Sequence, residues 1–188
     1  MTQAPPFNIV GEHVALGPFR RDLIPVYCRW NNDFATTRTL ARSQPLTIEA
    51  MTAAYDAALD DDGAVDFTIY EHASGRPIGA TYLHDIDMRN GTAEFGIVIG
   101  EADARGKGYG TETARLMLAY AFTALSLHNV MLRVYAFNEA GRRAYEKAGF
   151  RAFATRRQCH MMGGTLWDVI FMEATPAAFA ARGSTEHT

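Results

Sequence analysis

The spacing of apolar residues changes several times along the chain, and each change predicts a different element. Between 111 and 126, Ala114, Leu118, Ala121 and Leu125 recur every three or four residues, which is the period of an amphipathic helix. Other helical patterns cover 22–30, 47–59, 140–148 and 176–182. Alternating or β-rich runs predict strands at 14–16, 66–70, 78–86, 92–99, 130–137, 150–161 and 166–172. Strands interspersed with helices indicate a mixed α/β domain around one sheet.

Local signals refine the two early helices. Asp22 is expected to cap the first and Thr47 the second, because their side-chain oxygens can accept from first-turn amides. Met51, Tyr55 and Leu59 share one face of the second helix.

Size and composition predict a single domain over residues 1–188, with its core at about 10–175 and a tail at 176–188. No apolar run reaches membrane-spanning length, and the first residues lack the pattern of a signal peptide. Cys28 and Cys159, the two cysteines, suggest neither a disulfide framework nor a zinc site, and the six histidines have no metal-ligand spacing. We therefore expect a cytoplasmic protein with no metal and no membrane partner.

Charge is distributed unevenly along the chain. A net charge of −3 argues against a nucleic-acid partner. Residues 49–103 hold twelve acidic and two basic side chains, whereas 105–157 hold ten basic and three acidic ones. The basic segment suits a polyanionic cofactor and the acidic segment a cationic amine, unless both are simply solvated faces.

A glycine-rich loop follows the apolar run 97–99 and precedes the helix at 111. Glycine lets the backbone approach a ligand closely, and a helix N-terminus offers free amides to a phosphate. The nucleoside-triphosphate pattern and the dinucleotide pattern each fail here by one residue. The pattern [QR]-x-x-G-x-[GA] fits at Arg105, Gly108 and Gly110.

This loop resembles the loop that binds the coenzyme A pyrophosphate in the GNAT superfamily of acyl-CoA-dependent N-acyltransferases. The segment 138–150, which contains Asn138, Tyr145, Glu146 and Lys147, is similar to a second motif of that family. Residues 29–33 are similar to its Rim-type branch, which includes enzymes that acetylate the N-termini of ribosomal proteins.

The resemblance implies a single GNAT-like domain with a mostly antiparallel sheet that is splayed at the acyl-CoA site and flanked by helices. It also implies acetyl-CoA as co-substrate. The residues expected to contact it are Val98, Ile99, Arg105, Gly106, Lys107, Gly108, Tyr109, Gly110, Thr111 and Asn138. Asn138 is also placed to cap the following helix.

Amide formation from a thioester needs a base for the amine and an acid for the departing thiolate. The resemblance assigns the acid to Tyr145, whose phenol can donate without carrying charge; the alternative is a packed core tyrosine. Glu94, on the strand after the Asn90-Gly91 turn signal, is the expected base. It would act directly or through water, or serve only as a structural carboxylate.

The acceptor is predicted least well. In the family, its pocket would come from residues 31–44 and 158–167. Arg38 and Arg42 could bind an acceptor carboxylate, whereas the acidic segment favours a polyamine or an aminoglycoside-like amine. Candidates for lining the pocket are Phe34, Tyr82, His160 and Trp167.

The predicted function is direct, acetyl-CoA-dependent N-acetylation of a small primary amine or a peptide N-terminus, without a covalent enzyme intermediate. The alternatives are a longer acyl-CoA, a hydroxyl acceptor, or a non-catalytic acyl-CoA-binding regulator. The sequence leaves open whether the protein is a monomer or a homodimer.

Overall fold

The computed structural model describes residues 6–40 and 44–183. Its strands are β1 (Ile9–Val10), β2 (Val14–Pro18), β3 (Val65–Glu71), β4 (Arg76–Asp87), β5 (Thr92–Ile99), β6 (Asn129–Tyr135), β7 (Arg151–Met162) and β8 (Thr165–Ala174). Its helices are α1 (Ile24–Asn32), α2 (Phe34–Thr37), α3 (Ile48–Leu59), α4 (Tyr109–Thr123), α5 (Glu139–Ala148) and α6 (Pro176–Gly183), with short 3₁₀ turns at Arg21–Leu23 and Ala102–Ala104.

All eight strands form one sheet in the order β1-β2-β3-β4-β5-β6-β8-β7. Neighbouring strands are antiparallel except β5 and β6, which run parallel. Helices flank this open mixed sheet, so the predicted α/β class and the mostly antiparallel sheet are confirmed.

The central pair β5–β6 separates soon after it begins. Its register contains only Thr92↔Asn129, Ala93↔Val130 and Glu94↔Met131. Beyond Glu94, β5 stays paired with β4, while β6 stays paired with β8 as far as Tyr135. The two halves of the sheet therefore diverge, and one edge of residues 95–99 is left without a neighbouring strand.

The main core lies between the sheet and α4. On β5, Ala93 and Phe95 are 3% exposed, and α4 contributes Ala114, Met117, Leu118 and Ala121, each fully buried. A second cluster joins α1 to α3 through Tyr27, Trp30, Met51 and Tyr55. Packing of α4 against the sheet places its N-terminus beside the free end of β5.

Several local predictions can be checked directly. The Thr47 hydroxyl accepts from the Ala50 amide at 3.1 Å, so the predicted cap of α3 is confirmed. The cap predicted at Asp22 is wrong, because its carboxylate binds Arg20 at 2.6 Å and α1 begins later, after Leu23, with no side-chain cap. On the face shared by Met51, Tyr55 and Leu59, the first two residues are buried, whereas Leu59, at the end of α3, is 63% exposed.

Candidate active site

The glycine loop connects the end of β5 to the first turn of α4. Gly106 and Gly108 have φ angles of 76° and 86°, in the left-handed region that glycine tolerates best. A Cβ atom added at Gly106, Gly108 or Gly110 would meet nothing within 4 Å, so the backbone faces open space. The amides of Gly108, Tyr109 and Gly110 donate to no acceptor among the described residues. Free amides at the positive end of α4 fit a pyrophosphate.

The Arg105 side chain is directed toward the protein. It donates to the carbonyl of Ile99 at 3.1 Å and to the Thr36 hydroxyl at 2.5 Å, and its guanidinium lies 3.7 Å from Asp33. The Asp33 side chain itself caps α2 by accepting from the Ala35 amide at 3.0 Å. Arg105 thereby fastens the glycine loop to β5 and to α2.

Tyr109 and Lys107 stabilise the loop from its outer side. The Tyr109 hydroxyl donates to Glu71 at 3.1 Å, and this hydrogen bond raises the pKa of Tyr109. The Lys107 ammonium lies 5.9 Å from the centre of the Tyr109 ring. The Thr111 amide donates to the Gly108 carbonyl at 3.0 Å and closes the first turn of α4.

A cavity of about 480 Å³, here called the loop cavity, lies above this loop. Its walls contain all of the expected acetyl-CoA contacts except Lys107: Val98, Ile99, Arg105, Gly106, Gly108, Tyr109, Gly110, Thr111 and Asn138. The Asn138 side chain accepts from the Gly141 amide at 3.0 Å, which confirms the predicted cap of α5. The free edge of β5 and the N-terminal turns of α4 and α5 therefore meet around one space.

A second cavity of about 360 Å³, here called the strand cavity, adjoins β5, β6, β7 and β8. Glu94, Arg133, Arg156 and His160 are among its polar lining residues. Both cavities share wall residues Thr39, Leu40, Ile97, Asn138 and Tyr145. The two spaces therefore adjoin where β5 and β6 diverge.

Tyr145 lies on α5 at this junction. Its ring packs edge-on against Phe95 and Phe150, each with a centroid distance of 6.1 Å. Its hydroxyl has no hydrogen-bond partner among the described residues. Burial raises the pKa of Tyr145, so the phenol stays protonated throughout the neutral range and can donate a proton.

Glu94 lies on the strand-cavity side of β5, opposite the core-facing Ala93 and Phe95. Arg133 donates from its Nε to a Glu94 carboxylate oxygen at 2.7 Å, and this bond raises the pKa of Arg133. Sequence reasoning did not single out Arg133. It lies two residues beyond Met131, the register partner of Glu94, and so projects on the same face.

The structure divides the predicted acceptor residues into two groups. Tyr82 and His160 line the strand cavity. Phe34 is 68% exposed, while Trp167 packs on Phe137 and donates to the Met162 carbonyl at 3.3 Å. Arg38 is exposed outside both cavities, and Arg42 lies outside the described residues.

Sequence reasoning also missed Arg156 and Tyr135 in the wall of the strand cavity. Within residues 6–40 and 44–183, no group of three or more His, Cys, Asp or Glu side chains is arranged to hold a metal ion. No helix in that part of the chain is long and apolar enough to span a membrane.

Comparison with known proteins agrees with this geometry. Residues 13–151 match the Acetyltransferase (GNAT) domain family. Human alpha/beta-tubulin-N-acetyltransferase 9 is 29% identical over 159 residues, covering 78% of this chain and 76% of that protein. Spermidine N(1)-acetyltransferase of Escherichia coli K12 is 28% identical over 137 residues, covering 73% and 72%. The probable N-acetyltransferase YjcK of Bacillus subtilis is 31% identical over 144 residues, covering 73% and 78%.

The fold is also similar to a solved structure of spermidine N-acetyltransferase from Vibrio cholerae in complex with CoA and spermine. The TM-score is 0.84 at 22% identity, and the match covers 90% of this chain and 99% of the other.

Proposed function

We propose that this chain, which belongs to the GNAT acetyltransferase family, transfers acetyl groups where the loop cavity and the strand cavity adjoin. The chain is an acetyl-CoA-dependent N-acetyltransferase that acts on amine acceptors. The observation that carries the proposal is that Tyr145 belongs to the walls of both cavities. A donor on one side and an acceptor on the other would meet at its hydroxyl.

The loop cavity would hold acetyl-CoA. The amides of residues 106–111 would bind the pyrophosphate, with Lys107 adding positive charge nearby. The free backbone edge at Val98 and Ile99 would hydrogen-bond to the extended pantetheine arm, and Asn138 would contact it from the opposite wall. Arg105 supports this site by holding the loop, through its bonds to Ile99 and Thr36.

When bound, acetyl-CoA supplies an activated thioester carbonyl. The acceptor nitrogen forms the new C–N bond as the C–S bond breaks, so one proton must leave nitrogen and one must reach sulfur. Glu94, directly or through water, would take the proton from nitrogen. Tyr145 would give its phenolic proton to sulfur, and proton exchange with solvent would restore both side chains.

The chemical class of the acceptor is also part of this proposal. One relative is named for tubulin and another for spermidine, so both a protein N-terminus and a small primary amine are supported. The similarity of residues 29–33 to the Rim-type branch favours a peptide or protein N-terminus. The free thiols of Cys28 and Cys159 support a reducing compartment such as the cytoplasm. The protein would act there as a monomer or a homodimer.

The test measures thiol release from acetyl-CoA with a panel of amines, for the wild type and for Tyr145→Phe. We expect kcat to fall by about 10²-fold or more, as is typical for loss of a general acid, while the affinity for acetyl-CoA stays unchanged. Tyr70→Phe is the matched control, because Tyr70 is a buried tyrosine that lines neither cavity.

Full activity of Tyr145→Phe would contradict the proposed acid. Binding of acetyl-CoA without turnover of any amine would instead favour a non-catalytic regulator.

A further inference from the structure

The walls of the strand cavity carry an unexpected charge for a site that receives amines. Glu94 is the only carboxylate in that wall among the described residues, and it is already paired with Arg133. Arg133 and Arg156 are both cationic, so the wall has a net positive charge. Asp168, on neighbouring β8, accepts from the Gln158 amide at 2.8 Å and is not part of the wall.

Apart from Glu94, the acidic segment at 49–103 adds no carboxylate to this wall, although Asp85 interacts electrostatically with Arg133. Four of its carboxylates outside the strand cavity form ion pairs elsewhere: Asp56 pairs with Arg21, Asp66 with His84, Glu101 with Arg29, and Asp103 with Arg76. A polyamine carries several ammonium groups, and each one that loses water needs an anionic partner. The strand cavity provides no such row of carboxylates within the described residues.

Arg156 is the cation in this wall that is available to a ligand. Within the described part of the chain it has no ion-pair partner, whereas Arg133 is held at 2.7 Å by Glu94. The register of β7 shifts between Arg156 and His160, and Gln158 there has a φ of 47°. Arg156 and His160 pair with Val169 and Trp167, which lie on one face of β8, and both line the strand cavity.

We propose that the acceptor carries a carboxylate close to its reactive amine, and that Arg156 binds this carboxylate. A guanidinium recognises a carboxylate through two parallel hydrogen bonds and remains charged at every relevant pH. Tyr82, Tyr135 and Phe171 add aromatic walls for the rest of the molecule. The acceptor is then a free amino acid, or a peptide whose N-terminus lies next to an acidic side chain. This inference rests on the proposed N-acetyl transfer.

The test compares acceptors in matched pairs. Phenylalanine is compared with phenylalaninamide, and the dipeptide amide Ala-Glu-NH₂ with Ala-Gln-NH₂; spermidine serves as the polyamine. In the wild type we expect kcat/KM for one carboxylate-bearing member to exceed that of its neutral partner by about 10- to 100-fold, as for a charge-assisted hydrogen bond. The pair that shows this preference distinguishes a free amino acid from an acidic peptide.

The variants assign the preference to one side chain. Arg156→Gln should bring the ratio within the preferred pair to about 1, and Arg156→Lys, which keeps charge but not the two-pronged geometry, should retain part of it. Arg157→Gln is the matched control, because Arg157 is the exposed next residue and lines neither cavity. An unchanged melting temperature and acetyl-CoA affinity would show that Arg156→Gln is folded.

Each contrary result has a distinct meaning. A wild-type enzyme that prefers spermidine or the neutral amides, or an unchanged ratio in Arg156→Gln, overturns this inference and leaves the proposed function intact. Absence of thiol release with every acceptor overturns both.

Discussion

Replacement of Gly108 by alanine separates backbone strain from ligand binding. Gly108 has a φ of 86° and caps the start of α4. A side chain in this left-handed region costs roughly 1–2 kcal/mol. For a protein of this size, about 1 kcal/mol lowers the melting temperature by roughly 2–4 °C, so we expect a decrease of about 2–8 °C.

The same change should weaken acetyl-CoA binding far more than stability alone explains. The added Cβ would occupy the open space above the loop and displace amides that have no other partner. Loss of one hydrogen bond to a charged group is worth about 1.5–3 kcal/mol, which corresponds to an increase in Kd of roughly 10- to 150-fold. Isothermal calorimetry with acetyl-CoA measures this directly.

Two other glycines provide the controls. Gly164→Ala places alanine at a φ of 77° in the β7–β8 turn, also with nothing within 4 Å of the Cβ, and should lower stability without changing affinity. Gly110 has no positive φ and occupies the position where the loop pattern accepts alanine, so Gly110→Ala should keep both stability and affinity. If Gly108→Ala and Gly164→Ala had the same affinity for acetyl-CoA, the assignment of the pyrophosphate to this loop would be refuted.

Three further changes test the proton acceptor and two ion pairs. Glu94→Gln should reduce kcat/KM by about 10²-fold at pH 7. The loss should be smaller above the pKa of the acceptor amine, about 8 for an α-amine, because the amine is then already neutral. Equal kcat/KM values for the variant and the wild type at pH 7 would exclude the base role. Glu101→Gln should lower the free energy of unfolding at pH 7 by less than about 1 kcal/mol, and the melting temperature by a few degrees, because the partner Arg29 is 60% exposed. The glutamine can still accept the hydrogen bond from Trp30. Arg29 lowers the pKa of Glu101, so this difference should be full above about pH 4.5 and should decrease as the pH falls through the lowered pKa; a difference that grows on acidification would contradict it. Asp66 raises the pKa of His84, so the pair should stabilise the fold below about pH 6.5 and lose this effect as the pH rises through the raised pKa. In thermal melts, the free energy of unfolding of Asp66→Asn should be lower than that of the wild type by no more than about 0.5 kcal/mol at pH 5.5, and by less at pH 8.

The features that the sequence predicted well are those controlled by nearby residues. The glycine spacing before α4, the caps at Thr47 and Asn138, and the alternation along β5 depend on interactions over a few positions. The failed cap at Asp22 also has a local cause, because Arg20 competes for the same carboxylate.

The features that were missed depend on contacts between distant segments. Arg105 reaches Thr36, 69 residues earlier, and the pairing of Glu94 with Arg133 depends on strand register across 39 residues. Arg156 lines the strand cavity beside Val169, its partner on β8. No periodicity along the chain specifies these relations, so the charge of the strand cavity could be recognised only from the three-dimensional structure.

The divergence of β5 and β6 also affects which molecules can approach the reacting groups. A bare strand edge on a protein's outside recruits other chains, but this one borders the loop cavity, whose wall also contains residues of α4 and α5. An extended chain with amide groups could pair with this edge as a further strand would, so the edge favours a linear tether. The hydrogen bonds that the sheet lacks at this position are therefore the ones that remain for a bound molecule to make.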